Sequence, residues 1–173
     1  MRKIKRQYKK PKMPWNKERM DKEDLLIKNY GLRKKQEIWK LESILRSYRR
    51  RARNLAAKKD KVEEKILLDK LYKMGLLNKT ATLDNVLSLK IEDIISRRLQ
   101  TIILKKTIAN TVKQARQLIT HGHIAVDGRR ITHPGFMVIR DMENKIEFYG
   151  KPLNKPEIKD VKTEVGVADG KGK

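Results

Sequence analysis

The side chains with the clearest chemical capacity are arginines gathered along one stretch of chain. Arg46, Arg49, Arg50 and Arg53 recur at steps of three, one and three, the spacing that places side chains on one side of a helix. A guanidinium is planar, permanently charged and forked, and its fork matches two oxygens of a phosphate. Residues 33–59 hold eleven Lys/Arg against two Glu, a net +9, so few local acids can pair with them. The chemistry to expect is recognition of a polyanionic backbone.

A second basic set lies within residues 97–135. Arg97, Arg98, Lys105, Lys106, Lys113, Arg116, Arg129 and Arg130 stand against the single acid Asp127, a net +7. Thr111 opens a helix there, and the free N–H groups of a helix N-terminus can hold a phosphate. His121, His123 and His133 invite a metal reading, but the chain has no other His and no Cys to complete a site. Helix capping and hydrogen bonding to RNA account for them, and no metal or cofactor is expected. No P-loop, G-x-S-x-G or H-E-x-x-H occurs. Asp127 is explained by the Asp-Gly turn it begins, so no enzyme is expected.

The elements that carry these residues must fold despite their charge. The 173 residues include 44 Lys+Arg and 21 Asp+Glu, a net +23. Such a body repels itself unless something anionic neutralises it, which disfavours a freestanding small-metabolite enzyme and leaves RNA, DNA or an anionic membrane as partners. The absence of Cys excludes disulfides and thiolate chemistry and fits a reducing compartment. The basic N-terminus lacks the apolar stretch of a secretion signal. Apolar runs such as Ile102–Leu104 fall far short of the ~18–20 residues that span a bilayer. The protein is expected to be soluble and intracellular.

Four regions follow. Residues 1–20 form a basic arm, broken by Pro11 and Pro14, with Tyr8 and Trp15 as rings that stack or anchor. Residues 21–96 form a helical domain. In it Asp21 caps a helix ending at Gly31, and Ile38, Leu41, Leu45, Tyr48, Ala52 and Leu55 stripe a helix over 34–57. A third helix covers 61–74, a short turn covers 83–89, and one continuous helix covers 91–104 with Arg97 and Arg98 at mid-length. Residues 97–150 form an αα-turn-β module. Its helix opens on a Thr111–Gln114 capping box and presents Lys113, Arg116, Gln117 and Thr120 opposite Val112, Ala115, Leu118 and Ile119. The helix ends at His121-Gly122, and a hairpin turns at Asp127-Gly128. A further β pair joins 136–139 to 145–149. Residues 151–173 form a flexible charged tail. The fold class is α+β.

The strings R-R-L-Q-T-I-I-L (97–104) and T-V-K-Q-A-R-Q-L-I-T-H-G-H-I-A-V-D-G-R-R-I-T-H-P (111–134) resemble the S-four RNA-binding domain, the alpha-L motif. That domain also occurs in some pseudouridine synthases and tyrosyl-tRNA synthetases. Upstream, P-W-N-K-E-R (14–19), Y-G-L-R-K-K-Q-E-I-W-K-L-E-S-I-L-R-S-Y-R-R-R-A-R (30–53) and L-L-D-K-L-Y-K-M-G-L-L (67–77) are similar to the archaeal and eukaryotic type of the small-subunit ribosomal protein S four family. The likeness runs over about residues 8–150. It implies direct rRNA binding, nucleation of the small-subunit body, a place beside ribosomal protein S five near mRNA entry, and a part in translational accuracy, in the cytoplasm on the ribosome. By the same resemblance the RNA contacts are Arg97, Arg98, Lys105, Lys106, Thr111, Lys113, Arg116, Gln117, His121, His123, Arg129 and Arg130. The charge argument adds Arg46, Arg49, Arg50 and Arg53. The chain lacks the N-terminal Cys ligands of some bacterial members, and its tail, with six Lys and four acids, lacks the Arg/Gly-rich ending of many eukaryotic ones. Two alternatives stand beside this reading. One is a ribosome-biogenesis factor of the same architecture, such as the related U-three snoRNP protein. The other is an RNA-modifying enzyme carrying an S-four domain, for whose catalytic domain the length leaves no room.

Overall fold

A computed structural model describes residues 7–150. The expected tail and the first residues of the expected arm lie outside them.

Helix α1 spans Lys17–Tyr30. It starts earlier than the Asp21 cap predicts, because Asn16 takes the capping role: its side chain accepts from the Arg19 N–H at 3.1 Å, and Glu18 suits the positive end of the helix. Gly31, at φ +57°, ends α1 in the left-handed conformation. Helix α2, Lys35–Lys58, buries Ile38, Leu41, Leu45, Ala52 and Leu55, with Tyr48 half-buried on the same stripe. Asp60 caps α3, Lys61–Lys73, by accepting from the Val62 and Glu63 N–H groups. Two short helices follow, α4 (Leu83–Ser88) and α5 (Ile91–Ser96).

The single helix expected over 91–104 is two. It breaks at Arg97–Arg98, and α6 resumes at Leu99–Lys105. The backbone there leaves the helical ladder to pair with a distant extended segment. The Leu99 N–H donates to the Phe136 carbonyl (2.8 Å) and the Val138 N–H to the Arg97 carbonyl (3.0 Å), bridging Arg98 to Met137. The apolar stripe runs through the break because it serves two cores. Ile94 and Ile95 join Leu41, Leu45, Leu67, Leu71 and Val86 in one. Leu99, Ile102 and Ile103 join Ala115, Ile119, Ile124, Val126, Val138 and Ile146 in the other.

Helix α7, Val112–Thr120, packs on α6 and ends at His121 and Gly122 (φ +75°). The strands β1 (Ile124–Val126), β2 (Arg129–Arg130) and β3 (Ile146–Phe148) form an antiparallel sheet ordered β2-β1-β3. Val126 faces Arg129 across the hairpin and Ile146 on the other side. Asp127 (φ +53°) and Gly128 (φ +73°) are both left-handed, as the tight turn between β1 and β2 requires. The expected pairing of 136–139 with 145–149 does not form. Residues 136–138 are held by the chain around Arg98, Arg140–Lys145 is a 3₁₀ turn, and β3 pairs with β1 instead.

Candidate nucleic-acid interface

The α2 arginines divide. Arg46, Arg50 and Arg53 are exposed and make no ion pair among the described residues. Arg49 is half-buried and donates Nη2 to the Leu89 carbonyl at 2.6 Å, tying α2 to the α4–α5 corner. Its place on an open guanidinium face is therefore corrected. The fold needs its donors. Outside that face, Arg51 and Lys58 line a cleft between α2 and α3 together with Lys70, the acid Glu63, Leu55 and Leu67. The seven-residue spacing of Arg51 and Lys58, two helical turns, is the signal that would have found them.

In the 97–130 segment most arginines have internal partners. Arg97 donates Nε to the Met74 carbonyl (3.0 Å) and pairs with Glu143 (2.9 Å). It lies against Gly75, where an added Cβ would meet its Cζ at 2.5 Å. Arg98 is only 5% exposed and pairs with Glu37 at 2.6 Å. Arg116 reaches the other oxygen of Glu37 at 2.9 Å. Lys106 donates to the Glu143 carbonyl. Arg130 folds back over Gly122 to donate to the His121 carbonyl (3.0 Å) and stands 5.9 Å from the Tyr149 ring centre. Arg97 and Arg98, placed by the sequence on a helix face, sit instead at the break between α5 and α6, turned into the molecule.

The exposed remainder is Lys105, Thr111, Lys113, Gln117, His121 and Arg129, with His123 half-buried. Thr111 caps α7 by accepting from the Gln114 N–H (3.1 Å), while Gln114 reaches back to the Asn110 N–H (3.0 Å), one residue before the reciprocal position expected. A groove between the end of α1 and α7 is lined by Lys28, Arg33, Lys113 and Gln117. Lys28 and Arg33 carry no periodic signal that would have singled them out. The imidazoles of His121 and His123 stack at 6.3 Å beside Gln114 and Gln117. In the arm, Tyr8 packs its ring 5.9 Å from that of Trp39, whereas Trp15 is 88% exposed.

Two carboxyl groups show how the acids are used. Burial pushes the Glu37 carboxyl up, but hydrogen bonds from Arg116 and Arg98 and their charge outweigh it, so it is held below the ordinary value. At the hairpin, the Lys145 ammonium hydrogen-bonds Asp127 at 2.8 Å and, with its charge, holds that carboxyl low. Arg46 and Arg129 feel the nearby charges of Glu42 and Asp127 but form no ion pair, and exposed cations of this kind can bind phosphate oxygens by charge-assisted hydrogen bonds.

The family model described as "S4 domain" matches residues 97–143. A protein of Saccharolobus solfataricus named "Small ribosomal subunit protein uS4" is 52% identical over 152 residues, which cover 86% of this chain and 84% of that protein. Proteins of the same name from Sulfolobus acidocaldarius and Ignicoccus hospitalis are 49% identical over 152 residues (86% of each chain) and 50% identical over 150 residues (85% of this chain, 90% of that protein), respectively.

Proposed function

The chain belongs to the uS4 family of small ribosomal subunit proteins, and from that premise we propose that it binds small-subunit rRNA directly and nucleates assembly of the subunit body. It is a structural constituent of the ribosome, and its family is one of ribosomal proteins, not of enzymes. The observation that carries the rRNA reading is the set of exposed cations that form no ion pair among the described residues: Arg46, Arg50 and Arg53 on α2, and Lys105, Lys113 and Arg129 beyond the break. Short helices, a hairpin and a basic groove suit recognition of a folded RNA through its shape and backbone.

In this proposal the helical region of residues 21–96 and the module of 97–150 both touch rRNA, and the arm of 1–20 extends the contact. Thr111, Gln117, His121 and His123 add hydrogen-bond donors and acceptors beside the phosphate-facing cations. Arg97, Arg98, Lys106 and Arg116 shape the module from within, and Arg130 braces the hairpin from its surface. Ribosomal protein S five and other small-subunit proteins are its neighbours, mRNA passes near it at the entry site, and it contributes to translational accuracy in the cytoplasm.

The test has two parts. Binding to small-subunit rRNA should weaken steeply with salt, with a log–log slope of about −4 for six phosphate contacts and about −7 for ten; a flat titration sinks the reading. Sucrose-gradient sedimentation should place the protein in mature small subunits. Accumulation with pre-rRNA particles alone would favour a biogenesis factor of the same architecture.

A further inference from the structure

Glu37 lies where the helical region meets α6 and α7, and three cation or amide groups converge on it. Its Oε2 accepts from Arg98 Nη2 at 2.6 Å, and its Oε1 accepts from Arg116 Nη2 at 2.9 Å and from the Arg33 N–H at 3.2 Å. Arg98 is buried, and its Nε and Nη1 have no protein partner, so Glu37 supplies the only ion pair of an enclosed cation among the described residues. Beside this cluster the buried Gln100 shares its Nε2 among the carbonyls of Tyr30 (3.3 Å), Gly31 (3.3 Å) and Val112 (3.0 Å). Gly31 completes the contact: a Cβ there would stand 2.8 Å from Val112 Cγ1.

Counting charge alone, Glu37 is an acid that weakens the attraction of a basic protein for RNA. Its position argues otherwise. Glu37 belongs to the helix that carries Arg50 and Arg53, and Arg116 to the helix that carries Lys113 and Gln117. The carboxylate is the direct link between the two. We propose that Glu37 is a positioning residue for RNA binding: by holding Arg98 and Arg116 together it fixes α7 relative to α2, so that both sets of exposed cations meet one folded RNA at once. The inference rests on the rRNA-binding reading. A folded RNA offers phosphates at fixed positions, so two faces held at the right angle bind as one, and the second contact becomes intramolecular. Letting the angle vary gives up that gain and the preorganisation behind it.

The experiment compares the full chain with Glu37→Gln, binding native small-subunit rRNA and an unrelated structured RNA of matched length. The variant should bind the rRNA at least about tenfold more weakly, while the unrelated RNA binds as tightly or more tightly because the protein gains one positive charge. If both RNAs shift together, or neither shifts, the proposal is overturned. Combining Glu37→Gln with Arg116→Gln should weaken rRNA binding no further than the weaker single variant, because the two residues act as one unit; additive losses would make Arg116 an independent phosphate contact and refute the link. Should Glu37→Gln lower the melting temperature enough to deplete folded protein, Glu37→Asp decides: it keeps the charge but is one methylene too short to hold both arginines. Reduced rRNA preference in that variant supports the proposal, and full wild-type preference refutes it. If the wild-type chain itself shows no preference for the rRNA, the rRNA-binding reading fails and takes the proposal with it. Preference retained by the variants defeats the positioning role alone.

Discussion

The arginines of α2 and those of the 97–130 segment have the same side chain and opposite surroundings. On α2, Arg46, Arg50 and Arg53 point into solvent. Between Arg97 and Arg130, four arginines are held by Glu143, by Glu37 or by the His121 carbonyl, and only Arg129 lacks such a hold. A guanidinium can hold a fold together or wait for a phosphate, and its own neighbours along the chain do not say which. What decides is an acid or carbonyl brought from far away: Glu37 lies 61 residues from Arg98 and 79 from Arg116.

The comparison can be broken most directly at Arg98. Arg98→Ala deletes a buried cation that faces a carboxylate and should lower unfolding free energy by about 3 kcal/mol, at the low end for a broken buried pair because Glu37 keeps Arg116. Chemical denaturation measures it, and a loss under ~1 kcal/mol would mean that Arg98 behaves like a surface arginine. Gly122→Ala should cost about 1–2 kcal/mol from the left-handed backbone, and its Cβ displaces the Arg130 guanidinium from the His121 carbonyl.

The exposed set should respond the other way. Replacing Arg46, Arg50 and Arg53 together by Ala should change stability by no more than ~0.5 kcal/mol per site while flattening the salt slope of rRNA binding by about 2. An unchanged slope would remove these residues from the interface. The pH dependence comes from two half-buried glutamates of α2 that shift in opposite directions. Glu37, held low, stabilises the fold fully above its ordinary value of 4.5, and that contribution disappears as pH falls through its depressed value. Glu42 is raised, by burial first and then by the Glu23 charge, so its ionised form opposes folding near neutrality and protonation relieves it. Glu37→Gln should therefore flatten the loss of stability below pH 4.5, and Glu42→Gln should raise stability at pH 7 by up to about 0.5 kcal/mol. Thermal melts across pH check both signs.

Local rules made much of this molecule legible. The α2 stripe, the Gly31 and Gly122 helix ends, the Thr111 cap and the Asp127-Gly128 hairpin each depend on residues within a turn or two of one another. What escaped depended on distance. The break at Arg97–Arg98 is invisible in a stripe whose Ile94, Ile95, Leu99 and Ile102 are all buried, because the cause is backbone pairing with residues 136–138. The pairing of β3 with β1 is hidden for the same reason, and Asn16 outcompetes Asp21 as a cap by lying earlier in the chain. On α2, spacing identifies the exposed side that carries Arg46, Arg50 and Arg53. It could not tell that Arg49 closes on Leu89 or that Arg116 closes on Glu37.

The antiparallel stitch between Arg97–Leu99 and Phe136–Val138 has a topological consequence. The polypeptide comes into the α6–α7 hairpin assembly and doubles back past its own point of entry, leaving almost no gap between the two ends of that excursion. Two backbone hydrogen bonds thus close a large loop at its neck, but the loop is not self-sufficient: β3, beyond the neck, provides the outer partner of β1 and Ile146 to the same core.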